Sequence, residues 1–279
     1  MIGVRLEGRL GNQLFQYAFV VSTARKLNTN FHLDQTIEPF LLAKYFDVPR
    51  NTFYLLDKYI FSIKGFKNIF THHLRIRFYK IIKSFYNLSE LSLSNFNMPS
   101  IELEKIKNQT LYQGFFQSEN YFKEDQDIVK KHFLIKDKYR SEYNKVVKNF
   151  PQYQKLIVIH IRKGDYVQLG LDLPISYFHK AINEIKTPNA FYVFLSDEPD
   201  IIQNEFDYIS NKYVSRNAEI IDFQFLMNAD ICVLSNSSFS WWGAYLNSKK
   251  PKVIAPKYWL GTADTETPHS IIQSNWAVL

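Results

Sequence analysis

The sequence predicts an α/β protein of two domains, the second built on a parallel β-sheet. Three observations lead there. Between positions 156 and 255, apolar runs of strand length alternate with helical patterns. The N-terminus reads strand, glycine turn, helix. The 279 residues, 46% hydrophobic and 22% charged, supply a sizeable core and exceed one average domain.

Taken in order, residues 2–6 form a short extended run and residues 8–13 a turn. Leu14, Phe15, Ala18, Phe19 and Leu27 then mark one face of a helix. Residues 31–33 offer a second strand, and residues 39–97 read as mostly helical and aromatic, without a repeat. Residues 137–155 are polar, rich in Tyr and Lys, and contain Pro151. The domain boundary is placed there, giving an N-terminal domain, 1–150, and a C-terminal domain, 151–279. In the latter, residues 156–161, 191–195, 231–234 and 252–255 read as strands, and 176–186, 199–206, 223–228 and 240–246 as helices. Such a parallel sheet is covered on both faces and binds ligands outside the carboxyl ends of its strands. Polar clusters follow three of these strands, at residues 160–166, 196–200 and 235–240.

Composition narrows the setting. The single cysteine, Cys232, excludes an internal disulfide and points to a reducing compartment. No signal-peptide pattern opens the chain and no long uncharged apolar window occurs, so a cytoplasmic protein, at most peripheral to a membrane, is expected. Thirty-four basic and 27 acidic residues give a net charge of +7. Lys58, Lys64, Lys67, Arg75, Arg77, Lys80 and Lys83 fall in a stretch without one Asp or Glu, and equal the whole excess. Phe66, Ile69, Phe70, Leu74, Phe78, Ile81, Ile82 and Phe85 recur there at helical spacing. The region 58–86 therefore reads as a helix. It either faces the core with a solvated basic side or lies in-plane on an anionic membrane surface. A nucleic-acid arm would need a groove-reading motif, and none is present, so no nucleic-acid partner is expected.

The strand-end clusters carry the chemistry. Arg162 and Lys163 leave a buried strand beside Asp165; arginine's planar fork suits a phosphate, while the plainer reading is an Arg162–Asp165 ion pair. Ser235 to Ser240 place a run of hydroxyls before a helix, either an anion site or simple N-capping by Ser238 or Ser240. Gly8 and Gly11 have G-x-x-G spacing, unlike a dinucleotide fingerprint, and leave open a tight turn or close backbone approach to a ligand. His72 and His73 point apart on a helix, Asp125 and Asp127 read as solvated surface, and no metal-ligand or G-x-S-x-G motif occurs. No metal or other cofactor is expected.

At these residues the sequence resembles the α-1,2-fucosyltransferases of glycosyltransferase family 11, bacterial members in particular. The matching stretches are GRLGNQLFQYA at 8–18, HIRKGDY at 160–166, FLSDEPD at 194–200, DFQFLM at 222–227 and SNSSFSWWGA at 235–244. The resemblance implies a GT-B-type architecture of two Rossmann-like domains, with the donor bound in the C-terminal one. It implies inverting transfer of L-fucose from GDP-β-L-fucose to the 2-hydroxyl of a terminal galactose in a surface glycan or O-antigen acceptor, without a metal. It places Arg162 on the β-phosphate, His160 and Asp222 on guanine, and Ser237, Ser238 and Phe239 around the diphosphate. Asp197 falls on the donor side. Asn12 is brought to the acceptor cleft, with Gly8, Arg9, Gly11 and Gln13 beside it. Lys163 departs from an arginine frequent in the family, keeping the charge but losing bidentate geometry. Asp165 is nominated as general base or as the group that orients Arg162, with Glu7 and Asp197 the other candidate bases. Two further readings remain open: an O-fucosyltransferase with a protein or other non-galactose acceptor, and a non-enzymatic basic module binding membrane or nucleic acid. A lipid-linked acceptor would bring the enzyme to the inner membrane face.

Overall fold

A computed structural model describes residues 1–62, 69–260 and 267–279. The chain divides into two compact units, residues 1–135 with 268–271, and residues 136–267 with 272–279.

The first unit is built on a four-stranded parallel sheet of order β2-β1-β4-β3. Its elements in chain order are β1 (Ile2–Arg5), α1 (Leu10–Lys26), β2 (Phe31–Asp34), α2 (Leu42–Tyr45), α3 (Tyr54–Tyr59), α4 (Ile69–Phe85), β3 (Ser89–Ser92), α5 (Pro99–Glu104), β4 (Thr110–Gln113) and α6 (Gln126–His132). The central strand β1 buries Ile2 and Val4 completely. Helix α1 is buried almost all round, with Gln13, Gln16, Ser22 and Thr23 buried beside its apolar residues. It starts at Leu10, so Gly11, Asn12 and Gln13 lie in its first turn and not in the preceding turn, where the sequence was expected to place them. Strand β3, inside the stretch expected to be mostly helical, is largely exposed.

The second unit carries a six-stranded sheet, wholly parallel, of order β10-β9-β8-β5-β6-β7. Its elements are α7 (Asp137–Val147), β5 (Lys155–Ile161), α8 (Gly164–Leu169), α9 (Ile175–Glu184), β6 (Ala190–Ser196), α10 (Pro199–Glu205), β7 (Lys212–Val214), α11 (Glu219–Asn228), β8 (Ile231–Val233), α12 (Ser238–Tyr245), β9 (Lys252–Ala255) and β10 (Ala277–Val278). Ile157, Ile159 and Ile161 of β5 point into one core with Phe178, Ala181, Phe194, Ile202 and Phe206. That alternation is what a central strand needs when helices cover both faces.

The division at 135/136 lies earlier than the boundary expected at 150/151. The polar stretch after position 136 is no linker but α7, which docks on α11. The Tyr143 ring lies 5.1 Å from that of Phe225, and Gln224 Nε2 donates to the Tyr139 carbonyl at 3.0 Å.

The basic region corrects one of its two readings. Lys64, Phe66 and Lys67 lie outside the described residues. From Ile69 the chain is helical, but Leu74, Phe78, Ile81 and Phe85 are exposed, so these four do not face the core; the side chains of Ile69 and Phe70 lie outside the description. Among the described residues, no helix is long and apolar enough to cross a membrane.

Candidate functional site

The β5–β6 register builds the first part of the site. His160 stands opposite Leu195 and Ile161 opposite Ser196, so the next residues of both strands emerge side by side. Arg162 Nη1 lies 2.8 Å from Asp197 Oδ2, and the Lys163 backbone N–H donates to Asp197 Oδ1 at 2.9 Å. Gly164 permits this approach: its φ is +28°, and a Cβ there would stand 2.5 Å from Asp197 Oδ2. The other arm of the Arg162 fork pairs with Asp165, three residues on. Tyr166 lies under the guanidinium, 5.4 Å from ring centre to Cζ. The expected structural ion pair is thus present, and it holds the fork at the strand end between two carboxylates. Lys163 goes elsewhere, its Nζ donating to Asp172 Oδ2 at 2.7 Å and the Leu173 carbonyl at 3.1 Å. The charge that Lys163 keeps in place of an arginine is thus neutralised by the loop following α8, away from the Arg162 fork.

Beside β5, β8 delivers the serine loop. Ser235 Oγ accepts from the Arg162 backbone N–H at 3.2 Å. Ser235 and Ser240 are fully buried, and Ser240 Oγ donates backwards to the carbonyls of Ser235 and Ser237. It therefore does not cap α12. The cap position is held by Ser237, in extended backbone and without a side-chain bond to the first turn; Ser238 is already inside the helix. The capping reading is corrected for Ser240, whose hydroxyl turns back to the serine loop. Asn236 ties this loop to the other one. Its Nδ2 donates to the Leu171 carbonyl at 2.7 Å, and its carbonyl accepts from the Tyr166 hydroxyl at 3.4 Å.

A third group adjoins them through Phe239. Its ring centre lies 5.4 Å from that of His160 and 5.3 Å from that of Phe223. His160 is buried, and burial, helped by the Arg162 charge, pulls its pKa down to about 3. The ring is neutral, and among the described residues its Nδ1 has no hydrogen-bond partner. A buried ring nitrogen without a partner costs stability and is ready for a ligand. Next to Phe223, Asp222 accepts from Ser215 Oγ at 2.5 Å. Burial pushes its pKa up to about 7; nearby Glu219 adds to the rise and the Ser215 bond opposes it.

The first unit presents its own strand-end cluster. Gly8 has φ +73°, and a Cβ there would stand 2.4 Å from Asn12 Nδ2. Asn12 Oδ1 accepts from Gln117 Nε2 at 3.1 Å, and the Gln117 backbone N–H donates to Asn95 Oδ1 at 3.3 Å. The first turn of α1 and the loops after β3 and β4 are thereby joined at Asn12. Glu7 follows β1 in the same place, its backbone N–H donating to Gln16 Oε1. Arg9 is exposed at the N-terminus of α1, whereas Gly11 is buried within it. Gln13 is fully buried, donating to the Pro39 carbonyl and accepting from the Leu41 N–H, both at 2.9 Å. Its expected place on the acceptor side is corrected to a structural one, fastening the loop after β2.

Comparison with known proteins settles the family. The model of glycosyl transferase family 11 matches residues 1–279. The chain belongs to glycosyl transferase family 11. Two Escherichia coli relatives of this family member align over nearly the full length. An alpha-1,2-colitosyltransferase is 27% identical, covering 93% of this chain and 92% of its own. The O-antigen biosynthesis glycosyltransferase WbnK is 29% identical, covering 91% and 93%. Among solved structures, the fucosyltransferase NodZ from Bradyrhizobium superposes with a TM-score of 0.55 at 12% identity, covering 88% of this chain and 91% of its own. POFUT1 in complex with GDP gives 0.54 at 11% identity, covering 91% and 96%. At such identities these likenesses show the fold alone, a GT-B-type α/β fold with parallel sheets.

In this family 11 glycosyltransferase, two cavities among the described residues lie away from the strand-end clusters. A cavity of about 590 Å³ opens in the first unit among Arg25, Asn28, Asn30, Arg50 and His132. One of about 310 Å³ opens in the second among Pro174, Tyr177, Lys180, Lys257 and Tyr258. We locate the site by its chemistry, because the charged fork, the orphaned imidazole and the buried carboxylate are all elsewhere. Among the described residues, no group of three or more His, Cys, Asp or Glu could hold a metal ion. Asp125, expected as solvated surface, instead takes hydrogen bonds from Ser22 and Arg25. Sequence reasoning missed Asn236, Tyr166, Asp172 and Gln117. The first two lie inside motifs it had singled out, but nothing in their spacing reveals a partner 70 residues away.

Proposed function

We propose that the chain is an inverting α-1,2-fucosyltransferase, moving L-fucose from GDP-β-L-fucose to the 2-hydroxyl of a terminal galactose in an O-antigen or related surface glycan. The observation that carries the reading is the Arg162 fork, held at the end of β5 beside the first turn of α12. As the fucosyl carbon–oxygen bond breaks, its electron pair leaves on the β-phosphate of GDP. A fixed guanidinium and backbone N–H groups aimed at that charge stabilise the transition state more than the ground state. Asp165 and Asp197 share Arg162. Diphosphate entry exchanges at least one of these pairings for a charge-assisted bond to phosphate. Guanine fits the remaining groups, with the Asp222 carboxylate accepting from its N1–H and amino group and His160 Nδ1 gaining its missing partner. The attacking hydroxyl gives its proton to a carboxylate, for which we nominate Asp165; its pairing with Arg162 gives it an orienting role as well. We propose that no divalent ion or other cofactor takes part, and that the enzyme works in the cytoplasm.

The colitosyltransferase relative favours one second reading, in which the same site transfers a colitosyl group. Incubation with GDP-fucose, lactose and EDTA, followed by NMR of the product, tests both. The proposal expects a fucosyl-α-1,2-galactose linkage. Neither transfer nor donor hydrolysis with several galactosides, alongside turnover of GDP-colitose, would transfer the conclusion to the second reading.

A further inference from the structure

We infer that the outward face of α4 is a docking surface for an anionic phospholipid bilayer, on which this helix lies in-plane. Leu74, Phe78, Ile81 and Phe85 are 40%, 52%, 61% and 80% exposed. At about 100° per residue their spacing confines them to an arc of roughly 60°, one continuous outward stripe. The opposite side of the helix is the one that packs. Tyr79 donates to Asp34 Oδ2 at 3.0 Å and meets Phe61 edge-on at 5.3 Å, Lys83 pairs with Glu90, and the Tyr86 ring lies 5.7 Å from that of Phe53. A surface helix ordinarily turns its apolar stripe inward. Here the Tyr79 hydroxyl, ring contacts and an ion pair fasten the inner side, and the apolar stripe looks out.

What borders the stripe selects the partner. Arg77 and Lys80 are exposed on one flank, and residues 58–83 contain seven basic residues and no acidic one. A second copy of the chain would bring Arg77 and Lys80 against the same two cations of its partner, which is repulsive. A bilayer with acidic headgroups supplies both requirements, acyl chains for the stripe and negative charge for its flank. The inference is independent of which sugar is transferred.

Vesicle sedimentation of the full chain tests it, using phosphatidylglycerol-containing vesicles against pure phosphatidylcholine. Wild-type protein is expected to pellet with the first only, and less as salt is raised. Arg77→Glu/Lys80→Glu and Phe78→Ser/Ile81→Ser each should weaken the partition by about tenfold or more. All four positions are exposed, and thermal melting confirms that each variant is folded. Wild-type protein remaining in the supernatant with phosphatidylglycerol would overturn the inference, as would equal pelleting of wild type and variants. A lipid-free dimer that Phe78→Ser/Ile81→Ser splits into monomers would assign the face to self-association instead.

Discussion

Arg162 concentrates the chemistry in one side chain. Its fork touches Asp165 and Asp197, stacks over Tyr166, and sends its backbone N–H to Ser235. Arg162→Ala is expected to lower kcat by roughly 10²–10³-fold without unfolding the protein, measured by donor turnover and by melting. Arg162→Lys keeps the charge and loses the fork, and should recover only part of the loss. Asp222 makes a pH-dependent prediction. Its burial-raised pKa of about 7 means that below that pH the folded protein holds it protonated, whereas guanine needs the carboxylate as acceptor. GDP affinity should therefore fall as pH drops below about 7, approaching roughly tenfold per pH unit. Calorimetry should find that extra slope missing in Asp222→Asn, a comparison that cancels titration of the nucleotide's own phosphate. Identical slopes would remove Asp222 from the guanine site. At this scale the sequence revealed residue types and their place in the order of strands. It did not reveal which acid each base would meet: Lys163 follows Arg162 directly, yet turns to Asp172 because successive residues leaving a strand point opposite ways.

The pairing of α11 with α12 positions both the serine loop and Asp222. Gly243 makes that packing possible, since a Cβ there would stand 2.5 Å from Leu226 Cβ. Gly243→Ala is expected to cost about 1–3 kcal/mol, read from the shift in the denaturant midpoint of the second unit, and to weaken GDP binding with it. An unchanged midpoint would show that the helices can part without cost. The central strands were legible because β5, β6, β8 and β9 are unbroken apolar runs buried on both faces. Strand β7, three partly exposed residues, and β10, two exposed ones, lack that signature and were missed. So was α8, because Gly164 opens it within a motif that reads as a loop. The α4 pattern was read correctly in period; periodicity fixes which residues share a face, and says nothing of which way the face turns.

Each unit holds a buried histidine whose pKa is lowered and an aspartate whose pKa is raised. In the first, burial lowers His32 to about 4 and raises Asp57 to about 7, with 3.9 Å between His32 Nδ1 and Asp57 Oδ1. In the second, His160 falls to about 3 and Asp222 rises to about 7. A lowered histidine loses folded-state stability as pH falls from its unfolded value through its folded one. A raised aspartate gains stability over the same fall. Between about pH 4 and pH 6.5 these contributions cancel within each unit. Asp57→Asn keeps an acceptor for the Leu33 N–H but removes the balance. On acidification from pH 6.5 to 4 this variant should lose on the order of 3 kcal/mol more stability than wild type, by thermal melting at a series of pH values. Parallel pH profiles would contradict the pairing. None of this balance was legible in the sequence, because His32 and Asp57 are joined only by the packing of α3 against β2. The two-unit α/β architecture was legible, since alternating strands and helices admit few arrangements. The division between units was placed too late because α7 resembles a linker in composition.

Neutralisation of a departing diphosphate by Arg162 and the first turn of α12 is tested most directly by a crystal structure of the protein with GDP, grown in EDTA. The diphosphate is expected within hydrogen-bond distance of the Arg162 guanidinium and the α12 amides, with guanine against His160 and Asp222. GDP bound away from the carboxyl ends of β5 and β8, with Arg162 still held by both carboxylates, would contradict it.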